Sequence, residues 1–85
     1  VKKLTKRQWQ SVYNSVCKSY VNSYAMMVGD AMKGFKKFET SYGLRTYWDG
    51  DVFMHTFHLV KSRGIGYDLS CHDLEMLNRC REDEA

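Results

Sequence analysis

Apolar residues return every three or four positions from the ninth residue onward: Trp9, Val12, Tyr13, Val16, Cys17, Tyr20, Val21, Tyr24, Ala25 and Val28. That step is the period of an α-helix with one buried face. Its beginning is marked too. Thr5 and Gln8 have the spacing of a capping box, in which each side chain serves the other residue's backbone N–H, and Leu4 with Trp9 has the spacing of a hydrophobic staple. A helix starting just after Thr5 is the first prediction.

The same phase continues past Gly29-Asp30 through Ala31, Met32, Phe35, Phe38 and Tyr42, and Gly43 then supplies a left-handed stop. One helix over residues 5–42 fits this pattern. So do two helices hinged at Gly29 with Asp30 capping the second. Helices of such length are uncommon in small domains, so a kink or break near Gly29 is preferred.

Residues 45–53 are ambiguous. Asp49-Gly50 between Tyr47-Trp48 and Val52-Phe53 has the form of a short hairpin. Read as a helix start, Asp49 becomes the cap, with Trp48 stapled to Phe53. The helical reading is preferred because Phe53, Met54, Phe57 and Val60 keep helical spacing, and Lys61-Ser62-Arg63-Gly64 forms a helix end. A last helix follows. Leu69-Ser70 and Asp73-Leu74 repeat the cap and staple, and Leu74, Leu77 and Cys80 carry a stripe to about Arg81. The acidic tail Glu82-Asp83-Glu84 opposes the helix dipole and is expected to fray.

Composition agrees with this reading. The chain has 85 residues, no proline and six glycines, with 44% hydrophobic and 14% aromatic residues. The expected fold is mainly α: one domain over residues 1–85, a bundle of three to four helices with a long N-terminal helix. A core this small leaves little room for a deep catalytic pocket, so no enzyme activity is expected. Three cysteines without framework spacing point to a reducing, cytoplasmic setting, and no apolar run approaches the ~20 residues of a membrane span.

Charge changes the picture more. In residues 1–37 eight lysines and arginines stand against Asp30 alone, while residues 38–85 carry five against nine acids. Drawn on one helical wheel, Arg7, Lys18, Lys33, Lys36 and Lys37 lie opposite the apolar stripe, among Ser11, Ser15, Ser19 and Asn22. Small polar neighbours of this kind let cations reach phosphate oxygens. An ordinary solvated face has the same pattern.

Six tyrosines, four phenylalanines and two tryptophans exceed what so small a core buries completely. An aromatic and Met surface including Trp9, Tyr20, Tyr24, Met26 and Trp48 is therefore a second candidate interface. Other chemistries are poorly supported. His55, His58, Cys71 and His72 are zinc-ligand types without zinc-site spacing, so no metal or other cofactor is expected. Asp49 and Asp51 lack the further ligands of a calcium loop. Gly64-Ile65-Gly66 lacks the third glycine and preceding strand of a dinucleotide loop. A helix-turn-helix over 51–81 would need too long a turn and would bring acidic residues to phosphate.

These features suggest a helical protein that binds a protein partner and modulates or inhibits a larger, nucleoprotein-type complex, in the manner of small phage-encoded or regulatory proteins. The alternatives are direct binding of nucleic acid through the basic face, and a homo-oligomer that buries the long stripe against a copy of itself.

Overall fold

The reciprocal cap at the first helix is formed. In the computed structural model, which describes residues 3–21, 28–44 and 50–84, the Gln8 N–H donates to Thr5 Oγ1 at 3.3 Å and the Thr5 N–H donates to Gln8 Oε1 at 2.8 Å. Helix α1 runs Lys6–Val21 from this cap. Leu4 and Trp9 are both buried beside it, as a hydrophobic staple requires. Val12, Tyr13, Val16 and Cys17 continue the buried face.

The second helix, α2 (Val28–Lys36), contains Gly29 and Asp30 in its first turn. The long helical pattern is thus divided near Gly29, as preferred, although Gly29 and Asp30 lie inside α2 rather than serving as its hinge and its cap. The chain reverses before either of them. Gly34 lies against Ser15, and Ser41 and Tyr42 share a cleft with Leu4 and Gln8, so residues 28–42 run antiparallel to α1. Both helices sink their stripes into one core, which is why the hydrophobic phase carries through the reversal.

Gly34 makes this crossing possible. A Cβ there would fall on the Ser15 carbonyl and 2.7 Å from Ser19 Oγ. After a turn at Lys37, the short helix α3 (Phe38–Tyr42) closes at Gly43, whose φ of 67° is the left-handed conformation expected of a helix stop. The Phe38 and Tyr42 rings stack with centroids 5.0 Å apart. Arg81 reaches across from the last helix to donate to the Tyr42 carbonyl at 2.9 Å.

Helix α4 spans Gly50–Arg63. The second strand of the hairpin considered for 45–53 is thus helical, because Val52, Phe53, Thr56, Phe57 and Val60 are all buried at helical spacing. Residues 45–49, including Asp49 and its proposed capping role, lie outside the described residues. Gly64 ends α4 with φ 76°, its N–H donating to the Val60 carbonyl at 3.0 Å.

Helix α5 spans Cys71–Glu84 and is capped reciprocally. The Asp73 N–H donates to Ser70 Oγ at 3.2 Å, and the Ser70 N–H donates to Asp73 Oδ2 at 3.0 Å. The acidic tail does not fray before Glu84, contrary to expectation. An unfavourable dipole interaction of about 0.3–1 kcal/mol per charge is small against the cooperative extension of a formed helix. The result is a mainly α fold with five helices and no strand among the described residues, the additional helix being α3.

Candidate interaction surface

Arg7, Lys18, Lys33, Lys36 and Lys37 are all exposed. The antiparallel reversal divides them, however, with Arg7 and Lys18 on α1 and the three lysines on α2 and its terminus. The α2 group is the more compact. Ala31, Gly34 and Phe35 face inward while Lys33, Lys36 and Lys37 face water, as positions three and four apart on a helix do.

The serines among these cations serve another purpose. Ser11, Ser15 and Ser19 are half-buried, and Ser15 and Ser19 form the seat on which Gly34 rests. They are small because α2 must approach closely, so the wide cationic face with hydroxyl neighbours is not present as drawn on the wheel. Asn22 lies outside the described residues.

The aromatic candidates separate as well. Trp9 has no exposed surface, and its indole N–H donates to Asn78 Oδ1 at 3.0 Å, so it belongs to the core rather than to an interface. Periodicity placed it on the apolar stripe; the partner for its polar edge lies on the last helix. Tyr20 is half-buried and meets Phe57 edge-on, with centroids 5.3 Å apart. Tyr24, Met26 and Trp48 lie outside the described residues.

The loop between α4 and α5 was not singled out as an interface from the sequence. Ile65 at its tip is 67% exposed. It stands between Gly64 and Gly66, with φ of 76° and 84°. Lys61 Nζ lies 5.4 Å from the Phe57 ring centroid and Arg63 Cζ 5.3 Å from that of Tyr67. In the sequence this loop is marked only by an aliphatic residue between two glycines, preceded by two cations.

Side chains from other elements hold this loop. Gln10 Nε2 donates to the Tyr67 carbonyl and Gln10 Oε1 accepts the Leu69 N–H, both at 2.9 Å. The Tyr13 hydroxyl donates to the Gly64 carbonyl. Burial, with smaller contributions from Cys17, Tyr67 and Asp73, pushes the Tyr13 hydroxyl up to about 12. The Tyr67 hydroxyl donates to Asp73 Oδ2 at 2.6 Å. Burial alone would raise the Asp73 carboxyl, but hydrogen bonds from Tyr67 and Ser70, with the nearby Arg63 charge, hold it below its usual range.

Two surface clefts flank the N-terminal segment. One, of about 430 Å³, is lined by Lys3, Leu74, Glu75, Asn78 and Arg79. The other, of about 210 Å³, brings Gln8, Ser41, Tyr42 and Arg81 beside Lys3 and Leu4. Neither contains a cysteine or histidine. Cys17 is buried, and that burial raises its thiol, whereas Cys71 is exposed and Cys80 half-buried; none of the three forms a disulfide. His58, Cys71 and His72 are exposed and His55 is half-buried. Among the described residues, no three His, Cys, Asp or Glu side chains gather as a metal site, and no helix is long and apolar enough to cross a membrane. Comparison with protein-family models, curated proteins and solved structures finds no match for this chain.

Proposed function

We propose that this chain is a binding protein without catalytic chemistry of its own, which modulates or inhibits a larger macromolecular complex by docking on an acidic protein surface. The observation that carries this reading is the split character of α2. Its inward face is fixed by Ala31, Gly34 and Phe35, so Lys33, Lys36 and Lys37 are presented on a packed helix. Cations held in this way select an acidic partner and speed the encounter more than they add raw affinity. Three cysteines outside any disulfide are compatible with a cytoplasmic setting. Covering of Ser15 and Ser19 by α2 favours a protein surface over a phosphate backbone.

The test is affinity capture from the native cells with the unaltered chain and with a Lys33→Glu, Lys36→Glu, Lys37→Glu variant. A protein retained after nuclease treatment, released by moderate salt and lost with the variant supports the reading. Retention of nucleic acid alone, with a steep salt dependence, would transfer the function to nucleic-acid binding. Self-association with no other partner would make the chain a homo-oligomer.

A further inference from the structure

The structure assigns an oxyanion site to the smaller of the two clefts beside the N-terminal segment, where the phosphoryl group of a phosphate monoester binds. The site is separate from the lysines of α2. Lys3 enters it from the segment before α1, Gln8 from the first turn of α1, Ser41 and Tyr42 from α3, and Arg81 from α5, around about 210 Å³ of space. That is several times the share of one water in the liquid, enough for a phosphoryl group and its ester carbon.

The first ground is a count of donors and acceptors. Gln8 Oε1 accepts the Thr5 N–H at 2.8 Å, so the amide nitrogen is what Gln8 can present to a ligand. The Tyr42 carbonyl accepts from Arg81 at 2.9 Å, and the Leu4 carbonyl accepts from Asn78 Nδ2 at 3.3 Å. The acceptors bordering the cleft are thus engaged within the fold. The groups left to meet a ligand are an ammonium, a guanidinium, an amide nitrogen and the Ser41 hydroxyl, all able to donate. None of the described residues that line the cleft is acidic.

The second ground is the neighbouring cleft, which shares Lys3 but sets Glu75 beside Arg79. A carboxylate there opposes an anion, and the smaller cleft has no such group among its described residues. The third ground is order before binding. The capping box holds Gln8, and the Tyr42 carbonyl holds Arg81, so these donors lose little freedom when a ligand arrives. Donors that come from several directions suit a tetrahedral phosphoryl group better than a carboxylate, whose two oxygens share one plane with its carbon.

The experiment follows backbone amide shifts by NMR in the full chain. Inorganic phosphate, a blocked phosphoserine or a nucleoside monophosphate replaces chloride at constant ionic strength and pH. The expected result is saturation at millimolar concentration or below, with the largest shifts at residues 3–8, 41–43 and 81. All three probes share the phosphoryl group, and the one that binds tightest shows what carries it. Gln8→Glu is the decisive variant. It keeps an acceptor for the Thr5 N–H, and so the capping box, but places a carboxylate in the cleft. Phosphate affinity should fall at least about 10-fold while the melting temperature holds. Ser41→Ala, at an exposed position, should weaken binding about 5-fold. No saturation with any of the three probes, shifts centred on Lys33, Lys36 and Lys37, or undiminished binding by Gln8→Glu would overturn the proposal.

Discussion

The indole N–H of Trp9 donates to the side-chain oxygen of Asn78 at 3.0 Å, joining the first helix to the last across 69 residues of sequence. The same oxygen accepts the Leu4 N–H at 3.0 Å, and Asn78 Nδ2 donates to the Leu4 carbonyl at 3.3 Å. One amide thus satisfies both backbone groups of the residue before the cap and the polar edge of a buried tryptophan. Asn78→Ala should cost about 2 kcal/mol, because the Trp9 and Leu4 donors lose the acceptor they share. In a domain of this size that lowers the melting temperature by roughly 10 °C. Asn78→Asp keeps the acceptor but sets a second acceptor oxygen against the Leu4 carbonyl and adds a half-buried charge, so its melting temperature should fall as well.

Two glycines of α2 should respond in opposite directions. A methyl at Gly34 meets the Ser15 carbonyl, which is backbone and cannot rotate away, so Gly34→Ala should destabilise by roughly 2 kcal/mol or more. Ser19→Ala in the same chain should not rescue it, since the first clash remains. At Gly29 a methyl meets nothing within 4 Å, and Gly29→Ala should stabilise by up to about 1 kcal/mol through helix propensity. Urea denaturation of the two variants checks both signs.

The contrast between these glycines shows what could be read before the fold was known. Caps were legible because their partners are three residues apart: Thr5 with Gln8 and Ser70 with Asp73 both form as expected. The helix stops at Gly43 and Gly64 were legible for the same local reason. The reversal before Val28 was not, since a long helix and a hairpin of two helices facing one core have the same apolar phase. Ser15 and Ser19 therefore looked like a solvated face, although each packs against Gly34. Trp9 looked available to a partner because its own partner, Asn78, lies in a different helix. Ile65 carried no periodic signal, being a single residue whose meaning depends on what holds its loop.

Thiol reactivity gives an independent check of the packing. Cys71 is exposed, Cys80 half-buried and Cys17 buried with its thiol shifted upward by desolvation. Under native conditions an aromatic disulfide reagent should label Cys71 first and Cys80 more slowly. Cys17 should be labelled only at the rate at which the molecule opens, because the thiolate is the reacting form and both burial and the raised pKa suppress it. Peptide mapping after timed quenching distinguishes the three. Rapid labelling of Cys17 at neutral pH would contradict the packing of α1.

Acid and base should attack the same loop from opposite sides. The Asp73 carboxyl is held below its ordinary value by Tyr67 and Ser70 against the effect of burial. Its ionised form therefore stabilises the fold above the unfolded value of 3.8, and that contribution is lost as pH falls through the lower folded value. Tyr13 is the reverse case, raised from 10.0 to about 12, with its neutral hydroxyl donating to Gly64. Its contribution is complete below pH 10 and disappears between there and about 12, as the folded state is forced to ionise a buried phenol. Melting temperature followed across pH should accordingly fall at both ends. Asp73→Asn should flatten the acid limb and soften the alkaline one in part, because the Asp73 charge also helps to raise Tyr67 and Tyr13. Tyr13→Phe should flatten the alkaline limb between pH 10 and 12 while lowering stability at neutral pH, since Gly64 loses its donor. Equal slopes in wild type and both variants would mean that neither group is linked to folding through this loop.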